Sequence, residues 1–226
     1  MIAPLLPPRP AGAQSGAVTV QIDRPGAAIS PTLFGLFFED INFGADGGLY
    51  PERVKNRSFE FPDPMMGWKR LARGEAKGAL QIYDVGSRSA RPNAHYVQIK
   101  TDSGGFGLTN EGFRGMGVEQ GKEYLFSVLA RNAGDTPSAL RVEVEGHDGK
   151  KLGEAEITGL TQAWKTHTAV IRPAATSGKA RLNLLMDGPG RVDVDLISLY
   201  PKETWKNRPN GLRADLVQLL GDLKPG

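Results

Sequence analysis

Two adjacent carboxylates, Glu39 and Asp40, directly follow the apolar run Leu33-Phe34-Gly35-Leu36-Phe37-Phe38. Paired carboxyl groups are common acid–base machinery, but neighbours on a strand point to opposite faces, so these two cannot readily converge on one bond. Cysteine is absent, which removes disulfide frameworks, thiol nucleophiles and cysteine-based metal sites. His95, His147 and His167 lie far apart and show no ligand spacing. The 28 Lys and Arg against 25 Asp and Glu leave a net charge of +3, with both signs interspersed. No basic stripe of the kind that tracks nucleic acid is present.

The elements that must position these groups change texture along the chain. Val18, Val20 and Ile22 alternate with Thr19, Gln21 and Asp23, the period of a half-buried strand over 17–23. The run Leu33–Phe38 has no polar alternation and reads as a strand buried on both faces, as in a parallel barrel or doubly wound sheet. A glycine-rich loop follows at Asn42-Phe43-Gly44-Ala45-Asp46-Gly47-Gly48. From about Phe59 to Pro201, short alternating segments recur. His95-Val97-Ile99, Tyr124-Phe126-Val128, Leu140-Val142-Val144, Leu182-Leu184-Met186 and Val192-Val194-Leu196 each skip a polar or opposite-face residue. Turn residues separate them at Ser103-Gly104-Gly105, Gly134-Asp135, Asp148-Gly149 and Asp187-Gly188-Pro189-Gly190. This spacing predicts an antiparallel, jelly-roll-like β-sandwich.

The period then switches to that of a helix. Leu212, Leu216, Leu219, Leu220 and Leu223 share one face of an amphipathic helix over 211–223, with Asn210 as N-cap and Lys224-Pro225-Gly226 as stop. A leucine stripe and a doubly buried strand both need partners that a closed two-layer sandwich cannot supply. The reading is therefore a mainly β chain, in which the sandwich is inserted between a strand and a helix of one truncated α/β domain. At the start, Ile2–Pro8 is apolar and Ala11-Gly12-Ala13 resembles a signal-peptidase site, which suggests a secreted or periplasmic protein; a Pro/Ala leader is the alternative. No stretch is long enough to span a membrane.

Three blocks extend this reading. They are Ser30 to Asn42 with Asp46-Gly47-Gly48-Leu49-Tyr50, then Asn56-Arg57-Ser58-Phe59-Glu60-Phe61, then Leu199 to Arg213 with Asp215-Leu216 and Leu223-Lys224-Pro225. In this order they resemble the N-terminal part of glycoside hydrolase family 51 α-L-arabinofuranosidases. The middle resembles, more loosely, family 4/9 carbohydrate-binding modules, best at Asn56–Glu60 and Val194–Leu199. The resemblance implies five parts. Residues 1–16 are a leader, 17–30 a strand of an accessory sandwich, and 31–58 the first strand of a (β/α)₈ barrel with its loop. Residues 59–201 are a carbohydrate-binding-module-like sandwich, and 202–226 a linker with the first barrel helix.

What the resemblance implies about function follows. The family removes non-reducing terminal α-L-arabinofuranose from arabinose-containing polysaccharide or oligosaccharide with retention, using two glutamates on later barrel strands. This chain would then contain neither glutamate, the remainder of the barrel would lie outside it, and no cofactor would serve catalysis. Glu39 matches a position that binds arabinose hydroxyls, a task that suits a carboxylate because it accepts from two neighbouring hydroxyls; a solvated acid paired with Arg53 or Lys55 is the alternative. Asn42 shapes the same rim. In the sandwich, Trp68, Tyr96 and Trp164 are candidate platforms for sugar rings, although such residues more often belong to a core. Glu60 and Asp195 are a candidate pair for a structural Ca²⁺, with backbone carbonyls completing the shell. A non-catalytic carbohydrate-binding protein is the competing function.

Overall fold

The computed structural model describes residues 16–86 and 93–225. The leader expectation over 1–16 thus falls almost wholly outside the described residues. Eleven strands form within them: β1 (Trp68–Ala72), β2 (Gly78–Asp84), β3 (His95–Thr101), β4 (Phe106–Asn110), β5 (Met116–Val118), β6 (Tyr124–Asn132), β7 (Leu140–Glu145), β8 (Lys151–Ile157), β9 (Lys165–Ile171), β10 (Ser177–Met186) and β11 (Gly190–Pro201). One sheet runs β1-β4-β10-β7-β8, with β5 also on β10; the other runs β2-β3-β11-β6-β9. Every pairing between these strands is antiparallel.

The alternation read from sequence sets which face of each strand is buried. Val97 and Ile99 of β3, Phe126 and Val128 of β6, and Val192 and Val194 of β11 meet Phe106 and Leu108 of β4, Val142 of β7 and Leu184 of β10 in one core. Burying each such side chain stabilises by about 1.5–3 kcal/mol before entropy is counted. The core reaches further upstream than the expected boundary at 59, because Val54 also belongs to it. The more polar edge strands β8 and β9 carried little apolar alternation, and β1 and β2 had none that stood out, so periodicity alone did not mark them.

One alternation breaks. Leu196 was expected to follow Val192 and Val194 inward, but it takes φ 49° and stands half-exposed. The β11–β6 register shifts between Asp195 and Ser198, and Ile197 occupies the core instead. This bulge lets the Ile197 N–H donate to the Arg57 carbonyl at 2.9 Å rather than to a neighbouring strand.

Three expectations outside the sandwich are corrected. No strand forms over 17–23, where Val18 is 90% exposed, and none forms over 33–38, where Phe37 is 89% exposed. A strand needs hydrogen-bonded neighbours, and no described segment pairs with either. The helix, α1, spans Ala214–Asp222 with Arg213 at its N-cap; Asn210 instead takes φ 51° outside it, and no α1 residue is buried. Before it, a 3-10 turn at Trp205–Asn207 is held by the Thr204 hydroxyl, which donates to the Arg208 carbonyl.

The stretch from Asp40 to Asn56 is fastened to β11 by a buried acid. Glu52 is 2% exposed. Its Oε1 accepts from the N–H groups of Arg53 (2.9 Å), Val54 (3.0 Å) and Leu199 (3.0 Å), and its Oε2 from the Ser198 hydroxyl at 2.5 Å. Burial pushes its pKa above the ordinary carboxylate value; the Ser198 hydroxyl, the backbone donors and Arg57 oppose this without cancelling it. A raised carboxylate pKa means that the folded state holds the proton more tightly. Stability therefore falls as pH rises from the unfolded carboxylate value to the raised one. Glutamine can keep the three N–H bonds at its carbonyl and donate to Ser198 through its amide. Glu52→Gln should thus melt near the parent temperature at neutral pH and lose that pH slope. Glu52→Ala leaves buried N–H groups unpaired and should cost on the order of 3 kcal/mol or more at neutral pH. Thermal melts of the three proteins between acid and neutral pH check both expectations.

Candidate functional site

The outer face of the five-stranded sheet gathers the groups best placed to hold a ligand. Register pairs Tyr83 with Tyr96, Gln81 with Gln98, and Gln98 with Asp193, which in turn faces Arg131. These residues are out of phase with the apolar positions that face the core, so alternation alone puts them on the opposite side. Asp193 is completely buried. Its Oδ1 accepts from Gln98 Nε2 at 2.8 Å, and its Oδ2 takes both Arg131 Nε and Nη2 at 2.8 Å. The Arg131 guanidinium lies 4.9 Å from the Trp164 ring centre and 5.8 Å from that of Tyr96. Tyr83 stacks on Tyr96 with centroids 5.0 Å apart and planes 9° apart, and Trp164 meets Tyr96 edge-on at 5.3 Å.

The result is a preorganised aromatic wall beside a polar floor. A cleft of about 440 Å³ opens over it, lined by Tyr83, Tyr96, Gln98, Arg131, Gln162 and Asp193, with the 132–135 turn at its rim. Burial first, then the Asp193 charge, holds the Tyr96 hydroxyl above the ordinary phenol value, so it stays protonated at neutral pH. Sequence reasoning named Tyr96 and Trp164 but missed Arg131, Asp193 and Gln98 as parts of one site. Only strand register brings them together.

Trp68, the third aromatic candidate, is corrected to a core residue. It is 4% exposed, packs on Phe59 at 5.4 Å and donates its Nε1–H to the Asn56 carbonyl at 2.9 Å. Asn56, which begins an Asn-Arg-Ser sequence, is also buried, and its amide bonds to the Pro64 and Met66 carbonyls.

Glu60 and Asp195, the candidate calcium pair, are each engaged in hydrogen bonds. Both Glu60 oxygens are engaged by His95, at 2.7 Å to its N–H and 3.0 Å to Nδ1. Asp195 is fully buried, and its Oδ1 accepts from the Leu196 N–H at 2.7 Å. Among the described residues, no group of three or more His, Asp or Glu side chains comes together.

Glu39 and Asn42 lie on a separate loop. Glu39 is exposed, and its carboxylate pairs with neither Arg53 nor Lys55 among the described contacts; the Lys55 ammonium instead stands 5.0 Å from the Phe43 ring centre. Asp40 is spent on structure, because its Oδ1 accepts from the Ala45 N–H at 2.8 Å. Asn42, at φ 54°, borders a cleft of about 330 Å³ together with Phe43, Gly47, Arg53, Phe113 and Arg114. Gly47 has φ 76°, and a Cβ there would fall 2.2 Å from the Phe113 ring, so this loop requires glycine.

No protein-family profile matches the chain. An extracellular exo-α-L-arabinofuranosidase of Streptomyces chartreusis is 37% identical over 212 residues, which is 93% of this chain and 25% of that protein. α-L-Arabinofuranosidase 1 of Arabidopsis thaliana is 31% identical over 228 residues, covering 92% of this chain and 33% of that protein. The solved structure of arabinose-bound MgGH51 α-L-arabinofuranosidase superposes with a TM-score of 0.75 at 29% identity, over 90% of this chain and 35% of that one. The chain spans about a quarter to a third of the length of the curated relatives it matches. Both its sequence and its fold thus follow these enzymes along nine tenths of its own length, and the chain is a homologue of part of the glycoside hydrolase family 51 α-L-arabinofuranosidases.

Proposed function

We propose that this chain is the carbohydrate-binding part of a secreted, retaining α-L-arabinofuranosidase that removes non-reducing terminal α-L-arabinofuranose from plant polysaccharides. The observation that carries this reading is the match to arabinofuranosidases over nine tenths of the chain. The cleft lined by Tyr83 and Tyr96, with Trp164 edge-on to Tyr96, supports the sugar-binding role, because aromatic faces pack on the C–H faces of sugar rings beside hydrogen-bonding groups. Export is supported by the extracellular Streptomyces relative, and among the described residues no helix is long and apolar enough to cross a membrane. In the full enzyme, 31–58 would supply the first barrel strand and its loop, and 202–226 the first barrel helix. The exposed apolar side chains of Leu33, Phe34, Phe37 and Leu219 fit such a role, since each lacks a partner surface here.

The division of labour has two consequences. Hydrolysis with retention needs two carboxyl groups about 5–5.5 Å apart. Asp40 is committed to the Ala45 N–H and Glu52 is buried under four donors, so neither is placed to act as one of that pair. The 226-residue chain should therefore release no chromophore from an aryl α-L-arabinofuranoside above the buffer rate. Steady turnover by the pure chain overturns this assignment. A non-catalytic binding protein is the second reading, favoured by the same cleft; it holds if the gene encodes no barrel with two strand-end glutamates.

Glu39, exposed and without an ion pair among the described residues, is the acid available to accept from arabinose hydroxyls in the full enzyme. Glu39→Ala there should lower kcat/KM by roughly 10- to 150-fold, the equivalent of a charged hydrogen bond of about 1.5–3 kcal/mol. Azide or formate should not restore the rate. Rescue with inverted product stereochemistry identifies Glu39 as the nucleophile instead, and unchanged kinetics make it a solvated loop acid.

A further inference from the structure

We infer that Phe113, on the turn between β4 and β5, is a positioning residue for Glu39: through it the sandwich seats the loop that carries this acid. This role rests on the substrate-binding reading of Glu39 above and adds what holds the acid in place.

The loop from Glu39 to Tyr50 is closed on itself. The Ile41 N–H donates to the Glu39 carbonyl at 3.0 Å, the Gly44 N–H to the Ile41 carbonyl at 3.1 Å and the Tyr50 N–H to the Ala45 carbonyl at 2.8 Å. Asp40 adds its bond to the Ala45 N–H. Just after Glu39 the backbone takes an unfavourable path. Asn42 has φ 54° and Phe43 has φ 62°, and left-handed backbone is costly for a residue as bulky as phenylalanine. Such conformations persist only where the surroundings over-determine them. Here the surroundings are three side chains around the Phe43 ring. Phe61 lies parallel to it with centroids 6.4 Å apart, Phe113 meets it at 5.1 Å, and the Lys55 ammonium stands 5.0 Å from its centre. Phe113 touches the loop a second time at Gly47, whose missing Cβ leaves room for the ring.

The turn that presents Phe113 is itself fixed to the sandwich. Asn110, at the end of β4, is completely buried. Its Oδ1 accepts from the N–H groups of Gly112 (2.8 Å) and Lys55 (3.2 Å), and its Nδ2 donates to the Lys55 carbonyl at 2.9 Å. The Gly115 N–H closes the turn on the Glu111 carbonyl at 3.0 Å, and Lys179 Nζ donates to the Arg114 carbonyl at 2.8 Å. Phe113 is thus held by the sandwich and in turn holds the loop at Phe43 and at Gly47. Without the ring, Phe43 is released from its left-handed conformation, and the short turn passes that movement back to Glu39. A binding group displaced by about 1 Å loses much of its contribution to rate.

A double-mutant cycle in the full enzyme tests this, with an aryl α-L-arabinofuranoside as substrate and the melt of each variant as a check on its fold. Phe113→Ala should lower kcat/KM about tenfold, and Phe113→Leu, which keeps an apolar side chain at the contact, should retain most of the rate. In the Glu39→Ala background, Phe113→Ala should cost no more than a further factor of about two, because residues that act through one another are not additive. Should Phe113→Ala fail to fold, Gly47→Ala carries the same cycle: its Cβ pushes the loop off the ring with Phe113 in place, and its loss should likewise depend on Glu39. If Glu39→Ala impairs the enzyme while Phe113→Ala and Gly47→Ala leave it unchanged, the positioning role is refuted and the reading of Glu39 stands. A loss of equal size with and without the Glu39 carboxylate also refutes it, because Phe113 then acts by another route. If Glu39→Ala changes nothing, the reading of Glu39 fails and this role fails with it.

Discussion

A carboxylate with no exposure to water must be met by enough donors to replace its hydration, and the central strand β11 is organised around that requirement. It carries Asp193 and Asp195, both fully buried, and its end receives Glu52. Each is answered differently. Asp193 recruits a side-chain amide and a guanidinium across the sheet. Glu52 recruits three N–H groups and a hydroxyl from its own loop and from β11. Asp195 accepts from the Leu196 N–H inside the bulge. Leaving any of these unmatched costs more than most single packing contacts provide.

Meeting these demands shapes both faces of the molecule. The Asp193 pair holds Arg131 flat, and Arg131 in turn spaces Tyr96 and Trp164, so the geometry of the cleft follows from the pairing of a buried charge. The Glu52 contacts tie the 40–56 stretch to the sandwich, aided by Tyr50, which packs edge-on against Tyr200 at 5.1 Å. Tyr200 then donates its hydroxyl to the Gly211 carbonyl at 2.6 Å, and Arg213 donates its N–H to the Leu49 carbonyl at 3.0 Å. The two segments that flank the sandwich in sequence are thereby brought side by side.

The six-stranded sheet treats charge on its outer face in a similar way, with a different outcome. Glu143 and Glu145 are buried beneath Arg73, Arg141 and Arg181, and Asn183 links Glu145 to Thr109. Here the charges are mutually satisfied and no aromatic wall accompanies them. The sheet therefore offers a sealed polar surface, unlike the aromatic wall of the other sheet.

Much of this protein was legible in the residues alone. Alternation in β3, β6, β7 and β10 determined a sandwich, because a period of two has one buried face wherever a sheet packs on another. The order of the Ser30–Asn42, Asn56–Phe61 and Leu199–Arg213 blocks determined the family. Tertiary structure decided what depends on register and on partners. Trp68 and Trp164 have the same side chain, but one is sealed against Phe59 and the other borders the Arg131 cluster, and no local pattern distinguishes them. Leu196 continues the alternation in sequence but leaves it in space, because a bulge spends one residue to change which face follows. Asp193 and Arg131 are 62 positions apart, and only antiparallel pairing of β6 with β11 makes them neighbours. The strands expected at 17–23 and 33–38 show the converse: apolar pattern defines a strand only when another strand is present to receive its hydrogen bonds.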